Sequence, residues 1–343
     1  MANLVSSWAR NVDTVPENYV MPPNKRPSEL VSIGSNIPVI DLVKASSSTI
    51  NHAGAGLVQE ILKASQEFGL FQIINHGISE KLMDDVMDLF NEIFDMSVEE
   101  KEKFCSEVSN KSCKVYESGK MNDANIEEVR HWKDLFIQPV FPIEEQTQHW
   151  LENPARYREL VETYSSEVKK LSMRILELIG EGLGLKEGYF EELSKSQALV
   201  VNHYPPCPDP SLAMGVPAHC DPNLITFLQQ QVYGLQILKD GHWIGVPTLP
   251  YAFVVNIGYQ LQIISNNKLV SSEHRVVTNL KTGRTSIGTF VSPAEDCIVE
   301  PTKVLVNGGS PALFRTFKYQ EFIDDYMGEK NPKKTLEAYK LQP

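Results

Sequence analysis

The sequence predicts a mainly β protein with flanking helices, an antiparallel sandwich or jelly roll braced on its outside by an N-terminal helical region. Two observations carry that prediction. From about Leu199 to Val306 the chain breaks into short β-rich runs separated by Gly, Pro and Asn, a spacing expected of antiparallel strands rather than alternating β/α units. Before that, apolar residues recur every three or four positions, the mark of amphipathic helices. With 343 residues, 42% of them apolar and 22% charged, the chain is long enough for a large core and has an ordinary globular composition.

Taken in order, a polar leader punctuated by proline runs to about Asn36. "IPVIDL" (Ile37 to Leu42) reads as a short strand, and a helical period from about Gly56 to Phe68 closes at Gly69. "LFQIINHG" (Leu70 to Gly77) is β-rich and ends at a glycine; a helix from Ser79 to about Met96 follows. In "SVEEKEKF" the pair Ser97 and Glu100 forms a capping-box pattern that starts another helix. The polar stretch from Cys105 to Glu127 lacks periodicity and reads as a mobile loop or lid. Behind Pro154, residues Leu160, Tyr164, Val168, Leu171, Ile175 and Leu178 trace one long amphipathic helix closed by Gly182 and Gly184, a structural spine without chemistry. The runs "ALVVNHY", "LITFLQQ", "GLQILKD", "HWIGVP", "AFVVNIG", "HRVVTN" and "TSIGTFVSP" come next, and "KYQEFIDDYMG" (Lys318 to Gly328) forms a last helix.

Composition excludes several function classes. A formal net charge of -12 repels phosphate and no Lys/Arg run forms a basic stripe, so nucleic acid is not an expected partner. No apolar run approaches the roughly 20 residues of a membrane span, and the N-terminus lacks the apolar stretch of a signal peptide, so a cytoplasmic location and no membrane partner are expected. The five cysteines, Cys105, Cys113, Cys207, Cys220 and Cys297, are odd in number and contain no CxxC pair; they read as reduced thiols.

The chemistry concentrates in the β-rich half. In "GVPAHCDPNLITFLQQ" the residues His219 and Asp221 are two apart, so on a strand they project to one face while Cys220 points away. A His-x-Asp alone is weak evidence. His274, at the mouth of the later run "HRVVTN", can return to the first pair in a jelly roll, and two histidines with one carboxylate leave open positions on a non-haem Fe(II). Those three residues alone fit a zinc hydrolase equally. Ten residues on, Arg284 and Ser286 form another same-face pair, suited to gripping the far carboxylate of a small diacid. Upstream, Asn202 and Tyr204 form a further such pair. Seen singly, Arg284 reads as a solvated strand-end charge and Tyr204 as a core aromatic; the order and spacing of the whole set point to a site.

The stretches "NHYPPCPDP", "HCDPNLITFLQQ", "GLQILKDGHWIGV", "EHRVVTN" and "RTSIGTF", preceded by "IPVIDL" and "FGLFQIINHG", resemble the plant-type 2-oxoglutarate- and Fe(II)-dependent dioxygenases, from about Ile37 to Tyr326. Within that family the chain is most similar to the hyoscyamine 6β-hydroxylase-like group. The resemblance implies a cupin-like double-stranded β-helix flanked by helices. It divides the chain into an N-terminal helical and β region (1–195), a jelly-roll domain (196–320) and a C-terminal helix and tail (321–343). It implies iron held by the catalytic set His219, Asp221 and His274, and 2-oxoglutarate met by Arg284 and Ser286 with help from Tyr204 and Asn202. O2 is the second co-substrate and ascorbate the reductant. A C–H bond of a small hydrophobic plant metabolite would be hydroxylated, desaturated, ring-closed or demethylated by a monomeric enzyme, with release of succinate and CO2. The alternatives are a catalytically silent small-molecule-binding protein on the same fold and a tropane-alkaloid hydroxylase proper.

Two departures from the family pattern stand out. Tyr259 follows the "NIG" turn where many members carry an acid, which implies an altered pocket wall. In "KVYESGKMND", Ser118 and Lys120 stand, beside Glu117, where tropane hydroxylases are more acidic, which favours a neutral lipophilic substrate such as a terpenoid or phenolic. Phe290, Phe322 and Tyr326, and more remotely Phe136 and Val115, are the substrate-contact candidates. His76 in "INHG" reads as structural, and His203 as a side chain on the opposite face from Asn202 and Tyr204.

Overall fold

The computed structural model describes residues 4–27, 31–43, 53–102, 114–117, 129–307, 309–328 and 332–342. Its first half contains α1 (Val5–Trp8), β1 (Val39–Asp41), α2 (Ala53–Glu67), β2 (Leu70–Ile74), α3 (Glu80–Asp95), α4 (Val98–Glu102), β3 (Lys114–Glu117), β4 (Asp134–Phe141), α5 (Ile143–Gln146), α6 (Tyr157–Leu183) and α7 (Tyr189–Leu193). The second half contains β5 (Ser196–Tyr204), β6 (Met214–His219), β7 (Ile225–Gln230), β8 (Leu235–Lys239), β9 (His242–Gly245), β10 (Phe253–Ile257), α8 (Tyr259–Ile264), β11 (His274–Val277), β12 (Arg284–Ser292), β13 (Ile298–Val299), β14 (Phe317–Lys318), α9 (Tyr319–Gly328) and α10 (Pro332–Ala338).

Local chemistry explains the helix ends. The Ser97 hydroxyl donates to the Glu100 carboxylate at 3.0 Å while the Glu100 N–H donates back to that hydroxyl at 3.2 Å, the reciprocal cap of α4. Helix α6 stops at Gly184, whose φ of 73° is left-handed. Gly182 does not close the helix as the pattern implied. It lies inside α6, where a Cβ would come 2.4 Å from Leu62 of α2, so its role is close helix packing. The strand β4 and the helix α8 have no counterpart in the sequence reading. Most of the predicted lid, including Ser118 and Lys120, lies outside the described residues, as do Cys105 and Cys113; Cys207, Cys220 and Cys297 are free thiols.

Two facing sheets form the core of a double-stranded β-helix. The larger has the order β1-β2-β10-β7-β12-β5-β4-β3, and the smaller β6-β11-β8-β9. Only β1 and β2 in the large sheet are parallel. The N-terminal region therefore supplies both edges of that sheet as well as the bracing helices.

Register decides which side chains face the barrel interior. Residues directly opposed across an antiparallel pair share a face. Pairing of β12 with β5 sets Arg284 opposite Tyr204 and Ser286 opposite Asn202 on the inner face. The intervening Ile287 and Val201, with Phe136 of β4 in the same row, face the helices. There they join Phe90, Tyr157, Tyr164 and Ile175 of α3 and α6 in the largest apolar cluster. No helix of the described residues is long and apolar enough to cross a membrane.

Candidate metal and co-substrate site

Strands β6 and β11 pair so that His274 lies directly opposite His219, with Asp221 two residues beyond the end of β6. Their ligand atoms all lie within 4.8 Å of one another. Asp221 Oδ1 is 3.6 Å from His219 Nε2 and 3.5 Å from His274 Nε2. Each imidazole is oriented from behind: Nδ1 of His219 is 2.9 Å from the Pro217 carbonyl and Nδ1 of His274 is 3.0 Å from that of Ser272. A carbonyl can only accept, so the proton sits on Nδ1 and the Nε2 lone pair is turned inward. Burial, and then its neighbour His219, pushes His274 below the usual imidazole range, which keeps it in the neutral, ligating form.

Asp221 is 2% exposed. Burial alone would push its carboxyl up; where the imidazoles are protonated, His274 and His219 outweigh this and hold it well below the usual carboxylate range, whereas the neutral, ligating form leaves both Nε2 lone pairs for a metal. Asn256 of β10 donates to its other oxygen at 3.3 Å, and the backbone N–H of Tyr259 holds the Asp221 carbonyl at 2.8 Å. Two neutral nitrogens and one carboxylate on a common face, with the remaining directions free of protein ligands, fit a ferrous ion.

Next to this cluster lies a buried cation. Arg284 is 1% exposed and sits over the Tyr204 ring, 5.0 Å from its centroid. Its Nε donates to the Val232 carbonyl at 3.0 Å, one terminal nitrogen to Ser286 Oγ at 3.1 Å and the other to Gln230 Oε1 at 2.7 Å. A guanidinium carries about five N–H groups. Three are held by these oxygens, and the Tyr204 hydroxyl takes a further hydrogen bond from the fork. Among the described residues no carboxylate meets it, so the side chain is a buried fork with a place for a carboxylate that the protein does not provide. Gly215 and Gly234 make the cradle possible: a Cβ would come 2.7 Å from the Tyr204 ring at one and 2.9 Å from Arg284 Cδ at the other. Asn202, opposite Ser286, accepts a 2.7 Å hydrogen bond on Oδ1 from Lys133 Nζ.

The expected substrate contacts fare differently. Phe290 lies on the inner face, opposite Ala198 and Thr226 and two rungs from Ser286. Tyr326 is half-buried and donates to the Cys220 carbonyl at 2.8 Å, tying α9 to the loop between His219 and Asp221. Phe322 is fully buried and packs on Phe317, Tyr339, Tyr259 and Tyr326, because α9 turns that face onto α8. Phe136 is removed from the site, since the alternation of β4 turns it to the helices, 5.3 Å from the Phe90 ring. Val115 pairs with Phe136 in the β3–β4 register, and its side chain lies outside the described residues. Tyr259 is buried, backing the Cys220 loop and packing on Phe322. His203 stacks on Phe94 with ring centroids 4.9 Å apart, and His76 bonds the Tyr251 carbonyl at 2.8 Å; both serve the packing.

Two further residues of the site escape the sequence reading. His131 and Lys133 alternate in "RHWKD", just before β4, and both turn toward the cluster. Between them Trp132 is fully buried, its indole N–H on the Pro205 carbonyl at 3.1 Å and its backbone N–H on that of Met214 at 2.9 Å. Burial, reinforced by Lys133 and His219, pushes His131 down to about 3, so its imidazole is neutral. Burial and then Arg284 push the Lys133 ammonium down to about 8. His131 and Lys133 lie in the irregular segment just before β4, where strand alternation gives no face to read, so no sequence signal singled them out.

Comparisons with known proteins agree with this geometry. Residues 195–293 match the family model described as the 2OG-Fe(II) oxygenase superfamily, and residues 37–159 that of the non-haem dioxygenase in morphine synthesis N-terminal region. The chain is 43% identical to hyoscyamine 6-dioxygenase of Hyoscyamus niger, with 96% of each chain covered. It is 38% identical to flavanone 3-dioxygenase 2 of Oryza sativa subsp. japonica over 92% of this chain and 90% of that one. The crystal structure of JOX2 in complex with 2OG, Fe and JA superposes with a TM-score of 0.86 at 31% identity, covering 99% of this chain and 98% of that one. Members of this superfamily use Fe(II), 2-oxoglutarate and O2, with ascorbate as a common addition, and act on small molecules. A barrel with this donor cluster and this arginine cradle, matched over nearly its whole length, belongs to the 2OG-Fe(II) oxygenase superfamily as an oxidoreductase of the dioxygenase type.

Proposed function

We propose that His219, Asp221 and His274 hold the iron, and that Arg284 and Ser286, with Tyr204 and Asn202, hold 2-oxoglutarate. One observation carries this assignment: a buried guanidinium that no carboxylate among the described residues meets lies in the same barrel interior as a buried three-ligand cluster. Bound there, Fe(II) with 2-oxoglutarate and O2 supplies the oxidant for an unactivated C–H bond, with release of succinate and CO2.

The chain's own residues do the positioning. The carbonyls of Pro217 and Ser272 fix both imidazoles with Nε2 inward, and Asn256 leaves Asp221 one oxygen for the metal. The Arg284 fork anchors the far carboxylate of 2-oxoglutarate in an orientation that Tyr204 and Ser286 limit from below. Phe290, on the same inner face, and the hydroxyl-tethered Tyr326 border the space left for substrate.

All residues assigned to metal and co-substrate lie in 196–320, which supports reading that segment as the catalytic domain, 1–195 as its brace and 321–343 as its cover. The substrate in this reading is a small, mainly hydrophobic plant metabolite. The acidic surface and the lack of a basic stripe support a monomer in the cytoplasm without nucleic-acid or membrane partners. The deciding experiment incubates the protein with Fe(II), ascorbate, 2-oxoglutarate and a panel of terpenoids, alkaloids and phenolics, following succinate and product mass together. Succinate formation that survives His219→Ala would overturn the assignment.

A further inference from the structure

Lys133 is a charged side chain at this site for which, among the described residues, neither the metal nor 2-oxoglutarate has a use. Its ammonium makes a single hydrogen bond, to Asn202 Oδ1 at 2.7 Å, and among the described residues it has no carboxylate partner. It is half-buried: surrounded by protein, yet reachable. Its place is rigid, because Trp132 beside it is pinned to Pro205 and Met214 and the Asp134 carboxylate accepts the N–H groups of Val5 and Ser6 at 2.7 and 2.9 Å.

A desolvated cation without a counter-charge is costly, and proteins keep one where a ligand completes the pair. Formal charges leave Lys133 over. A ferrous ion is balanced by doubly ionised 2-oxoglutarate, and Arg284 by Asp221. His131, the nearest neighbour toward His219, is neutral and adds no anion. The cation next to Lys133 is Arg284, whose field depresses the ammonium further and raises its demand for an anion. Asn202 cannot supply it, since an amide oxygen is only a dipole.

We propose that Lys133 is the anchor for an acidic group on the substrate, a carboxylate or an ionised phenol, which it holds beside the 2-oxoglutarate cradle. This deepens the dioxygenase reading and rests on it, and it replaces the neutral lipophilic substrate expected from the lid sequence with a lipophilic acid. The hydrogen bond to Asn202 keeps the ammonium in place until the anion arrives, and His131 offers the same group a second polar contact.

The test uses the full chain loaded with Mn(II) in place of iron and with saturating 2-oxoglutarate, which blocks turnover and fills the Arg284 fork. Benzoate and its neutral isostere benzamide are titrated by calorimetry. Benzoate is expected to bind at least about tenfold more tightly than benzamide, and Lys133→Met to remove that preference while leaving benzamide and 2-oxoglutarate within about threefold. Lys133→Arg, which keeps the charge, restores the preference. Apo Lys133→Met is expected to melt no lower than the wild type, since a buried unpaired charge has been removed, and this separates a lost anchor from a lost fold. Equal binding of benzoate and benzamide to the wild type overturns the proposal, as does a Lys133→Met variant that keeps the preference. A variant that loses 2-oxoglutarate instead of benzoate overturns it as well, by assigning Lys133 to the co-substrate. Failure of the wild type to bind 2-oxoglutarate appears before benzoate is added and removes the dioxygenase assignment itself.

Discussion

Replacing Arg284 by Leu removes the buried fork beside Tyr204 and Ser286 and isolates its contribution to co-substrate binding. The structure sets the scale. Three of its N–H groups are held by Val232, Ser286 and Gln230, so the guanidinium is already oriented and little ordering remains to oppose binding. No carboxylate among the described residues meets the fork, and truncating one partner of the buried, hydrogen-bonded charge pair it would form with an incoming carboxylate costs about 2–5 kcal/mol. At about 1.4 kcal/mol per factor of ten, 2-oxoglutarate affinity should fall roughly 30- to 3,000-fold. Arg284→Lys, which keeps the charge and loses the planar fork, should fall between Leu and the wild type. Calorimetric titration of 2-oxoglutarate into Mn(II)-loaded protein, with metal affinity measured separately without co-substrate, reads both. A loss below about threefold in Arg284→Leu, or a parallel loss of metal binding, would refute the reasoning that places the far carboxylate on this side chain.

Other perturbations have equally definite outcomes. His274→Ala removes one of three ligands and should weaken metal binding by at least about a hundredfold, since even indirect support of a ligand is worth about 10–100-fold; metal titration of a variant with native circular dichroism checks it. Gly258→Ala places a Cβ 2.0 Å from the Asn223 carbonyl oxygen in the loop that also carries Asp221. Both sides of that collision are backbone, so a loss of about 3 kcal/mol of stability together with metal affinity is expected from denaturant melts; an unchanged midpoint would show that the loop yields freely. Burial pushes the Asp134 carboxyl up from 3.8 to about 6, against the pull of its hydrogen bonds to Ser6 and Val5. A group whose folded-state pKa is raised contributes stability present below pH 3.8 and lost as pH rises through about 6. Asp134→Asn should therefore gain on the wild type by up to about 3 kcal/mol between pH 4 and pH 7, and a pH-independent difference in urea melts would exclude this titration.

Much of the site was readable because it is periodic. Asn202 with Tyr204, His219 with Asp221 and Arg284 with Ser286 are each two residues apart, and a strand turns such pairs to one side whatever the rest of the fold does. The same logic failed where no strand had been recognised. Without β4, Phe136 had no reason to point at the helices, and His131 and Lys133 lie in the irregular segment ahead of it, where no periodicity applies. The two aromatic candidates on α9 part company for another reason. Phe322 and Tyr326 lie four apart on one helical stripe, yet Phe322 packs into the core while Tyr326 reaches the Cys220 carbonyl. Which end of a stripe is covered depends on the neighbour, here Tyr259 of α8, and α8 was not legible as a helix.

By itself the sequence determined the fold class, the order of the long helices and the main barrel strands, and most residue types of the site, because side-chain period and turn chemistry are local properties. Tertiary structure alone decided that His274 faces His219 across β6 and β11, that Arg284 crosses Tyr204 in register, and that Lys133 reaches Asn202 with no carboxylate partner among the described residues. Register and burial are set by which strands become neighbours and by what is then excluded from water, and neither quantity exists until the chain has closed on itself.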